Sequence, residues 1–295
     1  KPMKAFGAYH PAVLFCYFCT VLLIGMFAAN PAISLAALLG ASLFCAMLTK
    51  GRAHGSNLAF YFAMFVLIAV TNPLFSHNGV TPLFFLNGNA VTLEALLYGV
   101  FLSVMILGIL LWCHCYGEIM TSEKFLYLFG ALIPKLSLVL SMALRFLPLF
   151  VQRMHSVSAV QKTLGQYSGK SLVGRAQNAL RVFGAVIAWS FEHAMETAAS
   201  MKARGYGQKG RTHFSLFSFT VRDGVLLSVC AGLFFTVLFG IARGVCTFSF
   251  YPRIASLPRT PLACAVYIAF AVLSLLPFLI EVKEAVVWKY CVSKI

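Results

Sequence analysis

Apolar residues run along this chain in long blocks, several of them near the length a helix needs to cross a hydrocarbon layer of about 30 Å. The blocks extend from Pro11 to Ala29, Ile33 to Thr49, Asn57 to Thr71, Thr92 to Cys113, Val221 to Ala242 and Leu262 to Ile280. Asn30-Pro31 and the Lys50–Ser56 stretch separate the first three, each a turn where a helical pattern breaks. Between the fourth and fifth blocks the pattern changes. Thr121 to Gly165 begins apolar and becomes polar, with Pro134 and Pro148 as kinks or breaks, and a polar patch from Gln166 to Ser171 follows. Leu172 to Arg204 then reads as a long amphipathic helix. Val182, Val186, Trp189 and Ala194-Met195 mark its greasy side, and Arg181, Glu192, Glu196 and Lys202 interrupt it. The expected fold class is all-α, a polytopic membrane protein with about six transmembrane helices and long amphipathic helices. Residues 1–115 form its N-terminal membrane part, 116–220 a cytoplasmic or interfacial helical region, and 221–295 the C-terminal membrane helices and tail.

Composition agrees with lipid as the solvent: 60% of the 295 residues are hydrophobic and only 11% charged. Lys and Arg outnumber Asp and Glu by 23 to 8, a surplus that reports orientation in a membrane protein before it reports nucleic acid. Lys1, Lys4, Lys50, Arg52, the Cys115–Thr220 segment and the tail with Lys283, Lys289 and Lys294 fall on one side. Residues 145–222 alone hold eleven Lys or Arg, which places this side in the cytoplasm together with both termini. The opposite side receives Asn30-Pro31 and the uncharged Asn72–Val91 loop. It also receives one exception, the loop with Arg243, Arg253 and Arg259. The N-terminal run is too long for a signal core and is read as a span.

Candidate chemistry is sparse. The nine cysteines lie mostly within or beside the spans, where thiols pack as small hydrophobes. Cys16-x-x-Cys19 has no second pair, and three adjacent residues, Cys113-His114-Cys115, cannot all face one ion from a regular helix. Gly165-Gln-Tyr-Ser-Gly169-Lys170-Ser171 imitates a phosphate loop, but its spacing is one residue short and a helix precedes it where a strand is required. Glu94 opens the fourth span, where an acid stabilises a helix start. Glu192 and Glu196 sit at i and i+4 and call for a cation opposite, with Arg145, Arg153 or a residue of a partner protein as candidates. No Ser, His and acid set supports hydrolysis, and no cofactor or metal site is expected.

The Leu172–Arg204 helix ends in Ala203-Arg204-Gly205. Gly205 stands where a left-handed cap prefers glycine, and Lys202 and Arg204 lie where exposed carbonyls favour cations. A planar guanidinium there is also a two-pronged donor for a carboxylate on another protein. With Ala143-Leu144-Arg145-Phe146-Leu147-Pro148, Gln161-Lys162, Met201-Lys202-Ala203-Arg204-Gly205-Tyr206 and the initial His10-Pro11, the chain resembles the transmembrane T components of energy-coupling factor transporters, the CbiQ/EcfT family.

The resemblance implies a scaffold without chemistry of its own, in the plasma membrane of a prokaryote. In that family two cytoplasmic coupling helices end in Ala-Arg-Gly-type triplets that dock on two ATP-binding cassette ATPases, and the scaffold carries a small membrane S component that binds a vitamin or transition metal. Here Lys124–Gly165 and Leu172–Gly205 correspond to those helices. The second triplet is intact. The first corresponds to Lys162-Thr163-Leu164-Gly165, with Leu164 where the family arginine belongs, and Lys162 offers a point charge without the guanidinium's geometry. Leu132, Leu136, Leu140 and Leu147 are the expected S-component surface. Two readings from other classes compete: a membrane enzyme acting on anionic lipids, which lacks a catalytic acid-base set, and an autonomous secondary transporter, which calls for mid-membrane polar breaks and an internal repeat.

Overall fold

The computed structural model describes residues 5–49, 54–76, 79–86, 89–130, 133–165, 172–208, 217–251, 255, 258 and 260–292. Helices stand at all six apolar blocks: α1 (Pro11–Phe27), α2 (Pro31–Thr49), α3 (His54–Phe75), α4 (Leu93–Ile119), α8 (Val221–Ala242) and α9 (Pro261–Val292). Between α4 and α8 come α5 (Ser122–Gly130), α6 (Pro134–Thr163) and α7 (Leu172–Ala203). The protein is an all-α polytopic membrane protein. Five helices, α2, α4, α6, α8 and α9, are long and apolar enough to cross a bilayer. α1 and the Ala59–Phe75 part of α3 are apolar but shorter. α6 joins the five because its apolar residues crowd into its first half, with only Lys135 and Arg145 among them, whereas Arg153 and Lys162 fall in the more polar second half.

The chain divides into two compact units, residues 1–124 with 217–295, and residues 125–216. In the first unit α2 lies between α4 and α9, and it reaches each neighbour through small residues. On one face a Cβ added to Gly40 would sit 2.7 Å from the Ser274 carbonyl oxygen of α9, and the Ser274 hydroxyl donates to Ala36 O at 3.2 Å. On the other face Gly108 of α4 rides over Ala37 and Leu38, and the Trp112 indole N–H donates to Ala37 O at 3.1 Å. Gly99 of α4 does the same against α3, where an added Cβ would meet Ala69 O at 2.7 Å. Lipid tails are as apolar as leucine, so close backbone approach with dispersion and hydrogen bonds is what holds such helices together.

Around Trp112 the rings of Phe6, Tyr17, Phe18 and Phe44 interlock, Phe6 meeting Tyr17 edge-on at 5.3 Å between centroids. The Tyr17 hydroxyl leaves this cluster to donate to Leu273 O at 2.9 Å, so each buried polar tip has a partner.

A charged clasp holds the segment before α1. The Phe6 N–H donates to Glu281 Oε1 at 3.1 Å, Lys124 Nζ donates to Gly7 O at 2.6 Å and Ile119 O at 3.2 Å, and the His10 N–H donates to Asp223 Oδ1 at 2.8 Å. Asp223 Oδ2 accepts from the Thr220 N–H at 2.9 Å and its hydroxyl at 2.6 Å. Burial pushes the nearby Tyr9 phenol up, with the charge of Arg222 pulling the other way. Asp223 is 3% exposed and faces donors on both oxygens, so Asp223→Asn turns one acceptor into a donor aimed at donors. The expected cost is about 2–3 kcal/mol. It is read as a lower thermal midpoint of the purified protein in detergent, and an unchanged midpoint would show that the clasp carries no stability.

The Asn72–Val91 region is more ordered than the expected loop. β1 (Pro82–Leu86) pairs antiparallel with β2 (Asn89–Thr92), Phe85 opposite Ala90. Thr92 caps α4 by accepting from the Ala95 N–H, and Glu94 accepts from the Thr81 N–H at 3.4 Å, pinning the hairpin to the helix start. The placement of Glu94 matches the helix-start role read from sequence.

Candidate coupling surface and family membership

The second unit is built on α6 and α7, which pass each other in opposite senses. Phe146 meets His193 edge-on at 5.4 Å, and one turn on Phe150 meets Trp189 edge-on at 6.0 Å. Trp189 and His193 stack at 5.2 Å and 9°, and the Arg153 guanidinium lies 5.5 Å over the Trp189 ring. His193 Nδ1 is 3.8 Å from Glu196. The group nearest Glu196 is thus the His193 imidazole, and the Arg153 guanidinium lies over the indole face. His193 was missed because one histidine in an amphipathic run carries no periodic signal of its own.

Asn178, Val182 and Val186 recur every four residues on α7 and are its buried positions. The Asn178 side-chain nitrogen finds no partner among the described residues. Met195, read from sequence as part of this greasy side, is 69% exposed and belongs to a different stripe. Phe183, Ile187, Phe191 and Met195, again four apart, form that second stripe and remain exposed. α7 thus has two apolar stripes on roughly opposite faces, which a single-sided reading merged. On α6, Leu136, Leu140 and Leu147 are exposed and, with Leu144, share a face about a quarter turn round the helix from Phe146 and Phe150. Leu132 lies outside the described residues.

The two helix ends share a left-handed glycine and the backbone bond that glycine makes. α7 closes with Gly205 at φ +77°, its N–H donating to Lys202 O at 3.0 Å, while the Tyr206 N–H donates to Met201 O at 3.0 Å. Those two bonds are the Schellman cap, and Arg204 is the capping residue, exposed. α6 closes with Gly165 at φ +71°, its N–H donating to Lys162 O at 3.2 Å, and Leu164 as the capping residue. Lys162, Thr163, Leu164 and Gly165 therefore stand at the same positions relative to their cap as Lys202, Ala203, Arg204 and Gly205. The side chain at the cap is the difference, and Leu164 is 65% exposed. A second Ala-Arg-Gly, Ala242-Arg243-Gly244, ends α8 with the same pair of bonds as the α7 cap and Gly244 at φ +72°. The triplet is thus a general way of ending a helix with a guanidinium outside the cap, and its function depends on what faces it.

Other sequence candidates part company in space. Cys115 is buried in the first unit while Cys113 is exposed, as packing requires. Among the described residues no three His, Cys, Asp or Glu side chains gather as a metal site would need. Helix α6, with no strand, precedes the phosphate-loop mimic, whose residues 166–171 lie outside the described residues.

The sequence from residue 10 to 214 matches the cobalt transport protein family CbiQ. The chain belongs to the CbiQ family. Relatives within the energy-coupling factor class extend the match. The transporter transmembrane protein EcfT of Brevibacillus brevis is 27% identical over 223 residues, covering 69% of this chain and 82% of the relative. EcfT of Staphylococcus aureus is 24% identical over 186 residues, 58% and 67% of the two chains. EcfT of Bacillus selenitireducens is 33% identical over a shorter stretch of 97 residues, 32% and 36%. The CbiQ match takes in α6, α7 and all three residues of the Arg204 cap, so this family member is a transmembrane T component of energy-coupling factor transporters and a multi-pass bacterial membrane protein.

Proposed function

We propose that this T component transmits ATP-driven motion from two cytosolic ATP-binding cassette subunits to a small membrane S component, which holds the vitamin or transition-metal ion. The observation that carries the reading is the pair of matching glycine caps at the ends of α6 and α7. Each cap holds one exposed side chain on a rigid turn, Arg204 at one and Leu164 at the other, as a transmitted push requires. Lys162 and Lys202 stand two residues before the caps and add positive charge for an acidic groove. The exposed stripes Leu136–Leu140–Leu147 and Phe183–Ile187–Phe191–Met195 supply apolar surface for the S component. Residues 116–220 form the coupling region in this reading, both termini lie in the cytoplasm, and the chain itself catalyses nothing.

Affinity purification of the tagged chain from its own membranes tests this. The expected result is a complex with two ATPase subunits and one small hydrophobic protein, and ATP hydrolysis that depends on the ATPases. Solute movement or turnover by the lone chain in liposomes would overturn it. The two ends are predicted to be gripped differently. Leu164→Asp places a charge where an apolar pocket is expected and lowers ATP-driven uptake by about tenfold, whereas Leu164→Arg retains it. Equal uptake by wild type and Leu164→Asp, measured in the same vesicles, would remove Leu164 from the contact.

A further inference from the structure

The first unit contains a groove of about 400 Å³ between α8 and α9, lined by Phe235, Phe239, Leu262, Ala265, Val266 and Ala269 among others. Its shape follows from residue size. Phe235 and Phe239, one turn apart on α8, make a protruding wall, and Ala265 and Ala269, one turn apart on α9, leave the depth. Val266 closes the floor, where Gly240 lets the helices approach so tightly that an added Cβ would clash with Val266 Cγ2. The groove occupies the half of α8 nearest its C-terminal end, so it opens near one membrane face. At its mouth the glycine cap of α8 presents Arg243, whose guanidinium lies 5.0 Å over the Phe239 ring that lines the slot.

Arg243 makes no carboxylate pair among the described residues. Residues 243–260 contain Arg243, Arg253 and Arg259 and no acid, the same loop that breaks the sign pattern of its side of the membrane. An acyl chain fits an apolar slot, and a guanidinium above it fits a phosphate through charge-assisted, two-pronged hydrogen bonds. We propose that this groove is a binding site for one anionic phospholipid, its acyl chain against Phe235, Phe239 and Ala265 and its headgroup phosphate on Arg243. The site gives Arg243 a partner on a side where basic residues are otherwise scarce, and it does not depend on the coupling reading above.

The test is native mass spectrometry of the full-length chain in detergent, titrated with dioleoylphosphatidylglycerol or dioleoylphosphatidylcholine. Wild type is expected to hold the first phosphatidylglycerol about tenfold more tightly than phosphatidylcholine. Arg243→Ala should weaken phosphatidylglycerol strongly and phosphatidylcholine, whose choline already offsets its phosphate charge, much less, so that the preference falls to about twofold or less, and Arg243→Lys should keep part of it. Ala265→Phe should fill the slot and abolish the tight class for both lipids. Circular dichroism and monodisperse elution check folding, and Thr236→Trp on the open wall replaces Ala265→Phe if that variant misfolds. An undiminished preference in Arg243→Ala, or tight binding surviving in the filled groove, overturns the proposal. So does a photocrosslinker at position 235 that captures a polypeptide instead of lipid in native membranes.

Discussion

Arg204→Glu is expected to abolish ATP-driven uptake while leaving membrane insertion and folding intact. The side chain is exposed at the end of α7 and has no ion pair among the described residues, so its reversal has little to destabilise within them. An acid at a helix C-terminus costs about 0.3–1 kcal/mol, too little to unfold a protein of this size. At an interface the same change is far larger. Removing one partner of a desolvated, hydrogen-bonded ion pair costs about 2–5 kcal/mol, and reversing its sign adds repulsion, so a fall in uptake of at least about a hundredfold follows. Arg204→Lys should lie between, since an ammonium keeps the charge and loses the planar fork. Uptake of labelled solute into ATP-loaded vesicles containing the whole transporter is the measurement. Wild-type rates in Arg204→Glu would show that this guanidinium transmits nothing.

The second large effect is structural. Gly40→Leu should break the seam between α2 and α9, because even the first carbon of the new side chain would stand 2.7 Å from the Ser274 carbonyl oxygen. That neighbour is backbone and cannot rotate away, so the helices must separate. Separation also lengthens the Ser274 hydroxyl's bond to Ala36 O. Overpacking a well-filled core costs about 1–3 kcal/mol, and a backbone obstacle puts this site at the upper end or beyond it. Thermal unfolding followed by size-exclusion fluorescence should show a midpoint lowered by roughly ten degrees or a loss of the monodisperse peak. Gly25→Ala, at a site with open space around the added carbon, is the matched control and should be neutral. A Gly40→Leu protein as stable as wild type would mean that α2 and α9 do not pack as described.

Much of this fold is legible in the hydrophobic pattern, since every apolar block became a helix and the glycine cap at Gly205 follows from residue type. The block ends were less legible. α9 continues past Ile280 to Val292, because Glu281, Lys283 and Glu284 are good helix formers even where they end an apolar run. The β1–β2 hairpin was missed although Asn87-Gly88, a strong two-residue hairpin signal, lies between its strands, because apolar residues and a lack of charge on both sides masked the alternation. In the second unit the sequence marks α7 as amphipathic but does not divide its apolar residues between the α6 contact and the exposed stripe. That division depends on where the partner helix crosses, which is tertiary information.

The matched caps with unlike side chains have a consequence for assembly. If each end of this subunit seats one motor, exchanging the two motors is not a symmetry operation of the complex, because one socket must receive a cation and the other a hydrocarbon. Two identical motor chains would then have to carry both chemistries in one groove, whereas two different chains can divide them, each with an assigned seat.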